Sequence, residues 1–369
     1  MTTEPPSFWD RSHVVWENAK HVGLPIINWL CGYKPRWTPA EMGSKAGQVI
    51  LVTGANSGTG YATAQAYYNA GARVIMACRS EERANQAITE ITSGAYRDIN
   101  GTLQVPTTPP KTPGVLEFLA LDLADLYSVE KAAKTLEKEK RLDVLFANAG
   151  IMAVPPAETK QGYALQFGTN VLGHQRLISR LLPLMQSTSN STASPSRLIV
   201  SSSFAHLWAP KNGIDGGIAY DTLKGTGKLD KIKEYGESKW GGVALARYVD
   251  AHYGPGSGGE VVGTERGEVL AFAVHPGPVA SNLGTHLRSV AILRLSSAVW
   301  RATQLSCDEG ALNQLWLANL DVDQARKLSG SYVACIQAPT LARSDLDNPV
   351  AWDKLWDWCE AEGRSHTMI

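Results

Sequence analysis

The stretch QVILVTGANSGTG, residues 48–60, constrains the fold more than any other part of the chain. An unbroken apolar run of this length suits a strand buried on both faces, the condition of a strand inside a parallel sheet. The run ends at glycine and passes through Gly54, Asn56, Ser57, Gly58, Thr59 and Gly60 into the helical stretch GYATAQAYYNAGA. Glycines here let the chain turn sharply and let a pyrophosphate approach the backbone, while the helix N-terminus offers free N–H groups and partial positive charge. The spacing is G-x3-G-x-G, and a glycine pattern alone is weak evidence. Its weight comes from the order strand, glycines, helix.

The alternation continues along the chain. RVIMAC is a second strand followed by the helical SEERANQAITEIT, VLEFLALDL a third followed by SVEKAAKTLEKEK, and LDVLFANAG a fourth. GYALQFGTNVLGHQRLISRLLPLM is expected as one long helix and RLIVSSS as the fifth strand. A helix from Tyr235 to about His252, the strand VLAFAVHPG and a seventh strand in GSYVACI complete the series. Strands alternating with helices build βαβ units, so the expected class is α/β: a Rossmann-type, doubly wound parallel sheet of seven strands in a single domain. That domain is expected over residues 47–340, with an N-terminal arm at 1–46 and a C-terminal extension at 341–369. Loops at 97–114 and 253–267 lack apolar periodicity and are expected to be exposed. The loop at 206–234 is of more interest because it separates two candidate catalytic residues.

Composition removes several function classes. The 369 residues carry a formal net charge of +0, with 44% apolar and 19% charged residues and no long basic run, which gives no footing for nucleic-acid binding. Five scattered cysteines (Cys31, Cys78, Cys307, Cys335, Cys359) show no metal or redox spacing, so no metal site is expected and reduced thiols in the cytoplasm are. VGLPIINWLCGY at 22–33 is too short for a membrane span, for which about 20 apolar residues are needed. It is expected as a docked arm, with weak interfacial contact through Trp9, Trp16, Trp29 and Trp37 as the lesser reading.

Arg79 stands where the second strand ends, in ACRS. An acidic residue there would favour the ribose of NAD(H), whereas a guanidinium offers a planar donor fork to a 2′-phosphate, so NADP(H) is the expected cofactor. Asp122, with Leu123 beside it in LDL, either caps an adenine or closes a turn. YGESK places Tyr235 and Lys239 four residues apart, on one face of a helix, where a phenol and an ammonium share one space.

Taken in order, TGANSGTG, LDL, NAG at Asn148–Gly150, GTN ending at Asn170, SSS at 201–203, YGESK and HPGPVAS at 275–281 resemble the short-chain dehydrogenase/reductase family. The match runs from about residue 48 to 336. ARVIMACRS, FGTNVLGH and SSSFAH are similar to retinol-dehydrogenase-like and WW-domain-oxidoreductase-like members, and YKPRWTPAEMG to fungal members of secondary metabolism. The resemblance implies hydride transfer between a nicotinamide and a carbonyl or alcohol, with Asn170, Ser203, Tyr235 and Lys239 as the catalytic tetrad. It implies further that Asn148 shapes the strand edge beside the cofactor, and that Pro276 and Gly277 turn the chain under the nicotinamide. Val279 would line the same site, and Ser281 stands where the family often has threonine.

The chemistry asked of these residues is definite. A free tyrosine has a pKa near 10, and a neighbouring ammonium and cationic nicotinamide ring would lower it. Tyr235 would then act as general acid in reduction and general base in oxidation, Ser203 would bind the substrate oxygen, and Asn170 would either tie a water to Lys239 or satisfy a helix kink. His206 and His275 are expected to be structural, and Glu237 and Ser238 to be spectators or helix-surface residues. Trp208, Leu287, Ile292, Leu293 and Trp300 either line an apolar pocket or pack a lid on the core. Three functions stay open: an NADPH-dependent reductase of an apolar or aromatic ketone or aldehyde, an NADP-linked oxidase of a lipid-like or aryl alcohol, and a catalytically silent nucleotide sensor. A small-molecule substrate is the expected partner, and the oligomeric state, a homodimer included, is left open.

Overall fold

The fold is that of a computed structural model, which describes residues 35, 37–97, 103–104, 112–257, 267–280, 304–334 and 337–367. Its main sheet is built from β1 (Val49–Thr53), β2 (Arg73–Cys78), β5 (Val115–Ala120), β6 (Val144–Ala147), β7 (Ser196–Ser201), β8 (Val269–Val274), β9 (Tyr332–Ala334) and β10 (Ala338–Thr340). Two further short strands, β3 (Tyr96–Arg97) and β4 (Leu103–Gln104), pair antiparallel outside it, at the start of the loop expected at 97–114. The order across the main sheet is β10-β9-β8-β7-β6-β1-β2-β5, parallel throughout except for β10. The helices are α1 (Gly58–Asn69), α2 (Glu81–Thr92), α3 (Leu126–Leu136), α4 (Gly173–Thr192), α5 (Lys231–Tyr253), α6 (Cys307–Asn319), α7 (Val322–Leu328) and α8 (Pro349–Thr367).

The doubly wound arrangement follows from the apolar runs. In β1, Leu51 joins the core on one face of the sheet with α3, α4, α5 and α8, while Ile50 and Val52 join the core on the other with α1, α2 and α6. Burial on both faces is why these strands do not alternate polar with apolar. Chain order reverses between β1, whose neighbour is β2, and β6, which leads away from it. In open α/β sheets, ligands bind outside the carboxyl ends of the strands at such a switch point.

Three elements differ from the expectation. The main sheet has eight strands, not seven, because Gln337, at φ 59, leads into Ala338–Thr340, which runs back along β9. The helix of YGESK begins at Lys231, four residues before Tyr235, where the Asp230 side chain accepts a bond from the Ile232 N–H at 2.9 Å. The single long helix expected around FGTNVLGH is interrupted: Leu165–Phe167 passes into a π-helical turn, Gly168–Leu172, before α4. At the C-terminus, Leu355, Trp356 and Cys359 of α8 are buried against α5, with Trp356 stacked on Tyr248 at 4.1 Å. Among the described residues no helix is long and apolar enough to cross a membrane. The arm through residue 34, with Trp9, Trp16 and Trp29, lies outside them, as do Cys31 and Cys335.

Candidate active site

The glycine loop sits at the carboxyl end of β1. Gly54 and Gly58 adopt φ of 68° and 60°, the left-handed region that side chains rarely tolerate. A Cβ on Gly60 would lie 2.5 Å from the Gly54 carbonyl oxygen and 2.6 Å from Asn148 Nδ2, so the loop is folded too tightly for any side chain there. Asn148 is what laces it: Nδ2 donates to the Thr53 carbonyl at 3.1 Å, and Oδ1 accepts from the Thr59 hydroxyl at 2.8 Å. Thr53 ties the same two strands, its Oγ accepting from the Asn148 and Ala149 N–H groups at 2.9 Å each. Ser57 caps α1 with its backbone only; its side chain accepts no bond from the first turn.

Arg79 follows β2 directly and is exposed, with no carboxylate partner among the described residues. Asp122 is committed in part to the turn reading, one oxygen accepting from the Ala124 N–H at 3.0 Å. Leu123 is buried under α4, where a Cβ on Gly173 would strike its carbonyl. Beyond β8, Gly277 is at φ 89°, and Val279 packs on Gly310 in the first turn of α6, 2.3 Å from where a Cβ would be. Ser281, Leu287, Ile292, Leu293 and Trp300 lie outside the described residues.

Three of the four catalytic candidates come together. Ser203, just past β7, lies near enough to the Tyr235 hydroxyl to pull its pKa down. Lys239, one turn along α5, holds its Nζ 5.5 Å from the centre of the Tyr235 ring and donates to the Ser201 carbonyl at 3.0 Å. Gly150 packs closely opposite them: a Cβ there would sit 3.3 Å from Asn170 Oδ1 and 3.4 Å from Lys239 Nζ. Ser202, the rival serine, is spent inward on the Lys239 carbonyl at 2.7 Å. Burial draws the Lys239 ammonium down to about 8. It also raises the Tyr235 phenol above its ordinary value, with Ser203 working the other way, so in the chain alone burial outweighs the lowering expected from Lys239.

Asn170 ties the start of the Ile151 segment to α5. From within the π-helical turn its Oδ1 accepts from the Ile151 N–H at 2.9 Å, and its Nδ2 donates to the Ile151 carbonyl at 3.0 Å and to Ser238 Oγ at 2.9 Å. Ser238 in turn donates to the Tyr235 carbonyl at 2.8 Å. Of the two readings expected for Glu237 and Ser238, the helix-surface one does not hold: both are 1% exposed. Glu237 accepts from the Ala219 N–H at 2.6 Å, and burial pushes its carboxyl up to about 8.

Sequence reasoning also passed over His174. Its Nδ1 lies 3.0 Å from the Asn170 carbonyl, which can only accept, so Nε2 is left to accept from Thr53 Oγ at 3.0 Å. Burial holds this ring neutral, near 4, and it links the π-turn to the strand below the glycine loop. Its signal was the four-residue spacing from Asn170. His206 and His275 are buried with pKa values drawn to about 4 and 3, as structural residues would be. The 206–234 insertion is mostly exposed or half-buried but anchored by Ile218 and Leu223, which are fully buried, while Leu207 and Trp208 remain 46% and 58% exposed just past Ser203.

A glycine loop at the switch point of a doubly wound sheet, facing a buried Ser–Tyr–Lys group, defines a dinucleotide-dependent oxidoreductase. The short chain dehydrogenase model matches residues 48–289. A short-chain dehydrogenase/reductase of Armillaria gallica is 33% identical over 347 residues, covering 92% of this chain and 98% of that one. Retinol dehydrogenase 14 of Homo sapiens is 34% identical over 324 residues, 87% of each. The crystal structure of an uncharacterized protein from Mycobacterium Paratuberculosis superposes with a TM-score of 0.60 at 27% identity, over 89% of this chain and 97% of that one. The chain belongs to the short-chain dehydrogenase/reductase family and is an NAD(P)-dependent oxidoreductase.

Proposed function

We propose that the protein is an NADP(H)-dependent reductase of an apolar ketone or aldehyde, with Tyr235 as its general acid. The observation that carries this reading is the buried Tyr235, with Ser203 near its hydroxyl and Lys239 Nζ 5.5 Å from its ring centre. The residues fit a nicotinamide dinucleotide. Gly54 and Gly58 hold the left-handed turn that brings backbone N–H groups to a pyrophosphate, and Lys239 has N–H donors beyond the one given to Ser201. When bound, NADPH supplies the hydride. Arg79 would hold the 2′-phosphate, the 54–60 loop the pyrophosphate and Lys239 the nicotinamide ribose, with Pro276 and Val279 beside the ring.

Ser203 donates to the substrate oxygen and orients the carbonyl. Charge growing on that oxygen is met by the Tyr235 proton, which transfers as the carbonyl becomes an alcohol. Burial keeps the phenol protonated at neutral pH, the form that reduction requires. Asn170 and Ser238 position the turn of α5 that carries Tyr235. The exposed Leu207 and Trp208 beside Ser203 support an apolar substrate.

A second reading, oxidation of a lipid-like alcohol by the same residues, is favoured by the similarity to retinol dehydrogenase 14. A panel of long-chain and aryl aldehydes, ketones and secondary alcohols, with NADPH, NADH or their oxidised forms, separates them at the nicotinamide absorbance. Reduction with NADPH at the greatest kcat/KM is expected. Turnover of alcohols alone selects the second reading, and binding of NADPH without turnover in either direction makes the protein a silent sensor.

A further inference from the structure

The serine that would bind the substrate oxygen is anchored by a residue 140 positions later in the chain. Ser203 begins a short 3-10 turn, Phe204–Trp208, as its N-cap, its Oγ accepting from the Ala205 N–H at 3.2 Å. On one side this turn lies against α5, where a Cβ on Gly236 would come 2.7 Å from the Ala205 carbonyl oxygen and 2.9 Å from the Ala209 nitrogen. On the other side stands Arg343, in the segment between β10 and α8.

Arg343 bonds both to this turn and to the residues just past it. Its Nη1 donates to the Ala209 carbonyl at 2.6 Å and its Nη2 to the Pro210 carbonyl at 2.8 Å. Its backbone N–H donates to His206 Nε2 at 3.2 Å. That fixes the ring: Nε2 accepts, so Nδ1 carries the hydrogen and donates it to the Ser203 carbonyl at 2.7 Å. A line of hydrogen bonds therefore runs from the Arg343 backbone through His206 to Ser203. The guanidinium is further held by Asp345, from Nε to Oδ1 at 2.9 Å and from Nη2 to Oδ2 at 2.5 Å. Asp345 Oδ1 also accepts from Trp240 Nε1 at 3.0 Å, and Trp240 is the neighbour of Lys239. The Arg343 side chain is 10% exposed. Its fork thus joins the serine turn to the helix of Tyr235 and Lys239.

We propose that Arg343, through Asp345 and His206, is a positioning residue that sets Ser203 relative to Tyr235 and Lys239. The proposal rests on Ser203 acting on the substrate oxygen. The dinucleotide loop, at β1, makes none of these contacts. Loosening the clamp misplaces the serine and slows the chemical step while leaving NADPH binding intact. A lysine keeps the charge but has no planar fork for two carbonyls and a carboxylate at once.

The test is Arg343→Lys, with Asp345→Asn as a milder second variant that keeps the bonds to the Ala209 and Pro210 carbonyls. Hydrogen exchange followed by mass spectrometry should show amides of residues 205–209 losing at least about tenfold of their protection in Arg343→Lys, with little change in β1 and α1. For whichever carbonyl the wild type reduces, kcat should fall about 10–100-fold with the Kd for NADPH within about twofold, the scale expected of a misplaced catalytic group. Asp345→Asn should fall between wild type and Arg343→Lys in both readouts. Unchanged exchange at 205–209 in a folded variant would overturn the clamp. So would a fall in NADPH affinity matching the fall in kcat. Should the wild type turn over no substrate, the proposed function fails, yet the exchange result still decides whether Arg343 anchors the serine turn.

Discussion

Lys239→Met in the protein without dinucleotide should make the fold more stable, not less, at pH 7. Lys239 is 5% exposed, and burial draws its pKa from 10.5 to about 8. At about 1.4 kcal/mol for each tenfold change in proton affinity, keeping the charge inside costs about 3 kcal/mol. Methionine removes that cost but loses the bond to the Ser201 carbonyl, a net contribution of about 1 kcal/mol. The balance favours the variant by about 2 kcal/mol, or roughly 3 °C in Tm for a chain of this length. The sign in pH follows from the same depression. Below pH 8 the lysine is charged in both states and the cost is complete. Between pH 8 and 10.5 the folded state sheds the proton first, so the wild type gains stability as pH rises and the variant loses its lead. Thermal unfolding of both proteins from pH 7 to 10 measures this directly. A variant that melts below wild type at pH 7 while retaining the native circular dichroism would refute the reasoning, as would a difference flat across that range. The stabilised variant should also be inactive, because functional sites hold charges that folding alone would exclude.

Arg79→Ala should weaken NADPH binding about tenfold and leave NADH unchanged, the low end of a charge-assisted contact because Arg79 is exposed; tryptophan quenching titrations with both dinucleotides check it. Glu237→Gln should raise Tm, and by more as pH climbs from 4.5 to 8. The folded carboxyl keeps its proton to about 8 while the unfolded one ionises near 4.5, so the wild type loses stability across that window. A Glu237→Gln protein that gains nothing at pH 8 would show that Glu237 is not held protonated.

What the sequence made legible was whatever rests on short spacing. The glycine loop and the Tyr235–Lys239 pair are each local, and their order along the chain carried the family resemblance. The rest depends on partners distant in sequence. Ser238 acquires its role from Asn170, 68 residues earlier, and Arg343 from Ala209, 134 residues earlier. No periodicity records such a meeting. The π-helical turn at Gly168–Leu172 was hidden because a one-residue change in backbone pairing leaves no mark on side-chain periodicity. The eighth strand escaped because Ala338–Thr340 contains Pro339, which demotes a run as a strand unless it lies at a sheet edge, where β10 does lie. The early start of α5 had a readable signal in Asp230, an N-cap residue followed by a helical run.

The central claim is that the Tyr235 hydroxyl delivers the proton. Tyr235→Phe keeps the ring, its packing and the Lys239 beside it, and removes one oxygen. Single-turnover reduction of an accepted carbonyl by bound NADPH, followed in stopped flow, isolates the chemical step. The account predicts a fall of about 10²–10⁴-fold in that step with NADPH affinity unchanged within about twofold. Hydride transfer within about tenfold of wild type, with the dinucleotide fully bound, would contradict it.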